Sequence, residues 1–295
     1  MTQPAWIAVD WGTTHLRVWA MSDTHNVLDH RQSDRGMGKL AQDEFEVTLE
    51  SLCDGWDISC PMIACGMVGS RQGWVEAPYQ AVPCPPLSPN MVTAPAANLS
   101  VRVIPGIKQN KPADVMRGEE TQIAGYLLEN PDFDGVLCLP GTHSKWAHIS
   151  AGEIVSFQTL VTGELFSLLA NKSVLRHSVG EGWDDAAFAD AVSDTISRPD
   201  RLASRLFGLR ANDLLFGKDG AETRAQLSGM LIGAELAATK PYWLGQQVVV
   251  IGASGISNAY EQALSAQGLS VTRACGDAMT LAGLTAAYQT LKDTL

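Results

Sequence analysis

The chain has 295 residues, enough for two domains at ~150 residues each, and its 45% hydrophobic and 18% charged content excludes disorder. Its 27 glycines and 14 prolines follow no period, which excludes a collagen-like or low-complexity chain. With 21 basic and 32 acidic residues the net charge is −11, which argues against nucleic acid as a partner. A phosphate-bearing ligand stays open, because backbone N–H groups can hold phosphate without lysine.

Residues 5–10 read as a buried strand ending in the turn Gly12-Thr13-Thr14, and residues 15–21 alternate as a half-buried second strand. Residues 27–33 suit a third strand, residues 41–56 a helix through Phe45, Leu49, Leu52 and Trp56, and residues 61–65 another buried strand. The proline-rich stretch 78–95 predicts a long ordered loop, residues 101–104 a short strand, and residues 118–129 a helix opened by Gly118-Glu119-Glu120. The pattern then restarts. Residues 135–139 form a buried strand, Pro140-Gly141-Thr142-His143-Ser144 a turn, 145–149 an alternating strand and 153–160 a third. Gly12-Thr13 and Gly141-Thr142 occupy the same place in the two copies, the signature of an internal repeat. Helices are expected over 163–175, 183–197, 200–209, 221–239, 257–266 and 277–291, with strands at 247–251 and 269–273. The fold class is therefore α/β with two lobes, 1–127 and 128–295.

The six cysteines form no CxxC pair and the six histidines no HExxH, so disulfide stapling and a zinc site lack support. The N-terminus carries no basic stretch or apolar run, and the longest uncharged stretch, 77–101, holds six prolines. A cytoplasmic protein with no membrane association is expected. The apolar helices of the second half offer a surface for a homodimer.

Three turns carry chemistry. In Asp10-Trp11-Gly12-Thr13-Thr14, glycine lets the backbone approach an anion, the threonines donate, and a strand-end carboxylate can hold Mg²⁺ beside phosphates. The second turn, Gly141-Thr142-His143-Ser144-Lys145, offers similar donors, but Leu139 stands where the first copy has its acid. The third, Gly252-Ala253-Ser254-Gly255 after a β-branched strand, admits a flat ring or a ribose. It is not a GxGxxG fingerprint. Arg17, on the second strand, joins the expected phosphate-binding set.

Together these turns resemble those of the actin-like ATPase superfamily, whose members have two RNase H-like lobes with ATP in the cleft. The resemblance implies that Asp10–Thr14 and Gly141–Ser144 are phosphate loops, that Gly252–Gly255 is an adenosine loop, and that the helices near Glu119 and Asp277 cross between lobes, the last one (277–291) back toward the first lobe. A narrower match lies in Cys65-Gly66-Met67-Val68-Gly69-Ser70-Arg71-Gln72-Gly73-Trp74-Val75-Glu76-Ala77-Pro78-Tyr79, in residues 139–146 and 162–166, and in Leu227-Ser228-Gly229-Met230-Leu231-Ile232-Gly233-Ala234-Glu235-Leu236. These blocks are similar to those of the 2-dehydro-3-deoxygalactonokinase family. The resemblance implies transfer of the ATP γ-phosphoryl group, with Mg²⁺, to O6 of 2-dehydro-3-deoxy-D-galactonate.

A small keto acid wants a bidentate partner for its carboxylate, and Arg71 in a glycine-rich bend supplies one. Trp74 is expected over the substrate methylene, and Ser70, Glu76 and Tyr79 on its hydroxyls. A base for the acceptor alcohol is sought among Asp10, Glu119 and Glu120, and helix N-terminal charge competes as the role of the two glutamates. A kinase for another sugar acid and a phosphohydrolase of the same superfamily are the alternative readings.

Overall fold

The computed structural model describes residues 2–292. The chain divides into unit 1, formed by Met1–Phe133, Ile149–Ser156 and Gly276–Leu295, and unit 2, formed by Asp134–His148 and Phe157–Cys275. Their elements in chain order begin with β1 (Trp6–Trp11), β2 (Leu16–Met21), β3 (Val27–Ser33), α1 (Phe45–Leu52), β4 (Met62–Cys65), β5 (Tyr79–Ala81), β6 (Val92–Thr93), β7 (Val101–Val103), β8 (Gly106–Asn110), β9 (Ala113–Met116) and α2 (Glu119–Glu129). There follow β10 (Gly135–Leu139), β11 (Ser144–Ser150), β12 (Glu153–Leu160), α3 (Thr162–Lys172), α4 (Asp185–Ser197), α5 (Leu202–Phe216), α6 (Gly220–Ala238), α7 (Lys240–Trp243), β13 (Val248–Gly252), α8 (Ser254–Ser265), β14 (Val271–Cys275) and α9 (Gly276–Lys292).

The two main sheets repeat one topology. In unit 1 the order is β3-β2-β1-β4-β7-β6, and the second sheet runs β12-β11-β10-β13-β14. In each, three consecutive strands lie side by side and later strands continue from the first of them, three in the first sheet and two in the second. β1 is antiparallel to β2 and parallel to β4, and β10 is likewise parallel to β13. This is the RNase H-like lobe, built twice.

Alternation along β1 explains why the unit 1 sheet is covered on both faces. Ile7, Val9 and Trp11 join one core with Phe45 and Leu49 of α1, whereas Trp6 and Ala8 join another with Leu284, Ala287 and Tyr288 of α9. Trp6 stacks on Tyr288 at 4.5 Å between ring centroids. In unit 2, Val136, Cys138, Val248 and Val250 pack against Phe188 of α4, Ile232 of α6 and Tyr260 of α8.

Local chemistry moves several boundaries from their expected places. The helix expected over 41–56 is confined to Phe45–Leu52, because the Glu44 carboxylate takes the Ala41 N–H at 2.8 Å in a turn before it. The helix expected over 200–209 continues to Phe216 and stops at Gly217, whose φ of 63° closes it in left-handed geometry. The proline-rich stretch contains β5 and β6, and β5 pairs with β8 in a separate three-stranded sheet, β5-β8-β9. Among the described residues no helix is long and apolar enough to cross a membrane.

Candidate active site

The first hairpin is braced from behind. Gly12, Thr13 and Thr14 use their carbonyls to accept from Met37, Gly38 and Gly36, at 2.9, 3.0 and 3.1 Å. Gly36 must be glycine, because a Cβ there would lie 2.2 Å from the Thr14 carbonyl carbon. Engaging those carbonyls inward leaves Thr13 and Thr14 exposed at the turn, as an anion site made of N–H and hydroxyl groups requires.

Asp10, the last but one residue of β1, lies beside this turn, and Arg17, its partner on β2, grips it. The guanidinium donates through Nε to Asp10 Oδ2 at 3.1 Å and through Nη2 to the same oxygen, and Nη1 reaches Asp277. Burial disfavours the Arg17 charge, but the two carboxylates outweigh it and hold the guanidinium above its ordinary range. Arg17 is thus an ion-pair bridge between Asp10 and the start of α9. Asp10 Oδ1 has the Cys65 thiol at 3.7 Å. Burial, with Asp10 and Glu120 nearby, pushes that thiol well above its usual range.

The acidic pair at the start of α2 divides. Glu120 has no exposed surface and accepts from the Gly118 N–H at 2.6 Å and the Thr121 hydroxyl at 3.1 Å. Burial first, and then the Glu119 charge, push its carboxyl up to about 7. Glu119 is half-buried, and its Oε2 accepts from the Arg117 N–H at 3.0 Å.

The segment after β4 carries the residues expected to hold a sugar acid. Arg71 is exposed, and its Nε lies 3.4 Å from Glu76 Oε1, also exposed. Ser70 is buried, and its hydroxyl has no hydrogen-bond partner. Tyr79 is half-buried, with the Arg117 guanidinium 4.5 Å from its ring centroid. Arg117, which sequence reasoning missed, also donates to the Ala77 carbonyl at 2.7 Å and so ties this segment to the start of α2. Trp74 corrects the expectation of a ring laid over substrate. It is 3% exposed and packs with Trp11 and Phe45 at 6.1 and 5.9 Å between centroids. A large aromatic beside two others gains most by joining the core.

Unit 2 repeats the bracing with a helix. Glu164 N–H donates to the Thr142 carbonyl at 2.9 Å, and a Cβ on Gly163 would stand 2.2 Å from the Gly141 oxygen. Gly141, Thr142 and His143 are exposed, whereas Ser144 and Lys145 are buried at the start of β11. His143 Nε2 pairs with Glu164 Oε2 at 2.8 Å.

A cavity of about 500 Å³ opens beside this hairpin, lined by Gly141, Thr162, Gly163, Gly255 and Tyr260 among others. Phe166, Trp183, Leu231 and Ile256 give it apolar walls, and the Arg224 guanidinium sits 5.1 Å from the Phe166 ring centroid. The second hairpin and the expected adenosine turn thus meet in one pocket. Gly252 ends β13, while Ser254 and Gly255 already belong to α8. Sequence reasoning did not assign Phe166, Trp183 or Arg224 to it, because local spacing gives no sign of which gap a side chain lines.

Among the described residues no group of three or more His, Cys, Asp or Glu is placed to hold a metal ion. Mg²⁺ does not need one, because it keeps several waters and is commonly held by one or two carboxylates with substrate phosphates. Asp10, 15% exposed near the end of β1 and beside the Gly12–Thr14 turn, fits that modest demand.

Comparison with known proteins gives one answer. The family model described as 2-keto-3-deoxy-galactonokinase matches residues 10–287. A Rhizobium meliloti (strain 1021) protein named probable 2-dehydro-3-deoxygalactonokinase DgoK1 is 38% identical over 96% of each chain. The 2-dehydro-3-deoxygalactonokinase of Escherichia coli (strain K12) is 33% identical over 95% of this chain and 96% of its own. A Sinorhizobium meliloti crystal structure described as a 2-dehydro-3-deoxygalactonokinase protein superposes with a TM-score of 0.92 at 37% identity, covering 97% of this chain and 96% of that one.

Proposed function

We propose, for a chain that belongs to the 2-keto-3-deoxy-galactonokinase family, transfer of the ATP γ-phosphoryl group to O6 of 2-dehydro-3-deoxy-D-galactonate, a step of galactonate breakdown. The observation that carries the reading is the unit 2 pocket, where a braced phosphate hairpin and the Gly255 turn line a cavity of nucleotide size. Phosphoryl transfer asks the protein chiefly for positioning and charge stabilisation. In this reading Gly141, Thr142 and His143 receive phosphate oxygens, Phe166, Trp183 and Ile256 enclose the base, and Gly252–Gly255 admits the ribose. Lys145 and Ser144, buried at the base of the hairpin, shape it from below.

Unit 1 supplies the acceptor side. Thr13 and Thr14 add donors for phosphate, and Asp10 would hold Mg²⁺, which when bound neutralises charge developing on the phosphates. Arg17 keeps the Asp10 carboxylate in place. Arg71 takes the substrate carboxylate, and Ser70, Glu76 and Tyr79 pair with hydroxyls. Of the acidic pair, Glu119 is the member with surface to offer an alcohol, so it is the proposed base, and Glu120 sits behind it. Six free cysteines suit a reducing cytoplasm. The exposed Phe207, Leu214, Leu215 and Phe216 of α5 are the apolar face proposed for a homodimer.

ADP release measured with a panel of keto-deoxy sugar acids tests this function. Rapid turnover of 2-dehydro-3-deoxy-D-galactonate, with slow turnover of its C4 epimer and of water, is expected. Water as sole acceptor would replace the kinase with a phosphohydrolase.

A further inference from the structure

The block Leu227–Leu236 lends Leu231 to the wall of the pocket, and it also carries a charged residue into the interior. Glu235 is 2% exposed, near the end of the buried helix α6. Three donors from three different elements converge on its carboxylate. Trp146 of β11 donates through Nε1 to Oε1 at 2.8 Å. Tyr260 of α8 donates through its hydroxyl to Oε2 at 2.9 Å, and Thr162, the first residue of α3, donates to the same oxygen. The Tyr260 hydroxyl also lies 2.9 Å from the hydroxyl of Ser144, at the foot of the phosphate hairpin.

Two of these elements, α3 and α8, build part of the nucleotide pocket, and β11 follows directly on its hairpin. Thr162 and Tyr260 line the cavity themselves, and the residue after Thr162 is the glycine pressed against Gly141. Glu235 does not line the cavity. A carboxylate buried this deeply costs several kcal/mol unless donors compensate it. A hydrophobic residue at this position would avoid that cost but could not tie three elements to one point. An ionised carboxylate can only accept, so all three donors are fixed in direction.

We propose that Glu235 is a positioning residue for nucleotide binding. It holds the start of α3, the wall of α8 and, through Tyr260, the foot of the second phosphate hairpin in the geometry that receives ATP. Burial raises its carboxyl pKa, and the hydrogen bonds from Thr162, Trp146 and Tyr260 limit that rise. The inference rests on the reading of unit 2 as the nucleotide lobe.

The test is calorimetric titration of the full-length protein with a non-hydrolysable ATP analogue and Mg²⁺, beside steady-state kinetics. Glu235→Gln should weaken analogue binding about tenfold, the scale on which outer partners of a bound group act, and leave the sugar-acid KM within about twofold. Trp146→Phe removes one donor without touching the cavity lining, and it should weaken the analogue in the same direction. Combining Glu235→Gln with Tyr260→Phe should cost less than the product of the two separate losses, because both act through one network. Wild-type analogue affinity in a folded Glu235→Gln protein, or independent effects in the double variant, would overturn the proposal. If Glu235→Gln does not fold, Trp146→Phe and Tyr260→Phe carry the same test, and unchanged affinity in both would overturn it. A wild-type protein that fails to bind the analogue would remove the nucleotide reading of unit 2 itself, and the proposal with it.

Discussion

The two hairpins show what duplication preserves and what it releases. In both units a turn between the first two strands is braced by the segment that follows the third, and a glycine makes the contact. In unit 1 that segment is the short turn at Gly36-Met37-Gly38, and in unit 2 it is the start of α3. The mechanical solution is shared. The charge is not. Unit 1 has Asp10 as the last but one residue of its first strand, partly exposed and gripped by Arg17, whereas unit 2 ends its own in Leu139, 3% exposed. Unit 2 has a carboxylate deeper in its core, Glu235, which accepts three side-chain hydrogen bonds and does not line the cavity. The difference teaches that the acid of the first hairpin is not needed to form the turn.

The largest expected effect breaks that comparison directly. Asp10→Asn should lower kcat at least ~10²-fold, the scale of other electrostatic catalytic groups, while circular dichroism and melting stay near wild type. The hairpin is held by backbone bonds to residues 36–38, so folding does not depend on the charge. A near-normal kcat would make the two hairpins equivalent and take Asp10 out of the chemistry.

Next comes the contrast between two buried carboxylates. Glu235 has three side-chain donors, and Glu120 has one N–H and one hydroxyl with Glu119 beside it. An unfolded glutamate titrates near 4.5, and folded Glu120 near 7. Between those values the native state binds more protons than the unfolded state, so stability falls as pH rises through that window, by roughly 3 kcal/mol from this group. Glu120→Gln should flatten the slope and make the protein relatively more stable at pH 8 than at pH 4.5, as read by urea unfolding. Glu119→Gln should instead lower kcat and shrink that slope without removing it, because burial is the larger cause of the raised Glu120 carboxyl.

Much of this scaffold was legible in the residues. The runs around Ile7 and Val136 read as strands because both faces are buried, and the paired Gly-Thr turns revealed the duplication. The sheet β5-β8-β9 was not legible, because its strands are short and β5 hides among prolines. Trp74 was misplaced for a related reason. An aromatic beside Arg71 suits a ligand site as well as a core, and only the positions of Trp11 and Phe45 decide between them. Glu235 lay inside a family block, but its donors come from Trp146, Thr162 and Tyr260, far apart in sequence. No local spacing announces such a hub.

Gly163→Ala sharpens the mechanical half of the comparison. The added methyl would press on the Gly141 oxygen, a backbone atom that cannot swing away, and overpacking of this kind costs about 1–3 kcal/mol. The variant should melt lower, and its ATP KM should rise while the sugar-acid KM holds. Gly36→Ala makes the matching contact in unit 1, and its effect on turnover should follow the same route through Thr13 and Thr14. If Gly163→Ala lowers stability and leaves the ATP KM unchanged, the brace under the second hairpin supports folding alone.

The smallest effect concerns a residue with no counterpart in unit 2. Arg71 is 80% exposed, and its partner Glu76 stands 3.4 Å away in solvent, so the pair adds little to stability. Arg71→Lys should therefore leave the melting temperature within experimental error. Its consequence should appear only when a carboxylate arrives. Lysine keeps the charge but loses the planar fork that meets both carboxylate oxygens, a loss of about 1 kcal/mol or a few-fold in affinity. The sugar-acid KM should rise by that factor while the ATP KM and kcat stay near wild type. Arg71→Ala should extend the same trend, because it removes the charge as well. An unchanged sugar-acid KM in both variants would move the carboxylate anchor away from this segment, and unit 1 would then hold its substrate through Ser70, Tyr79 and the α2 start instead.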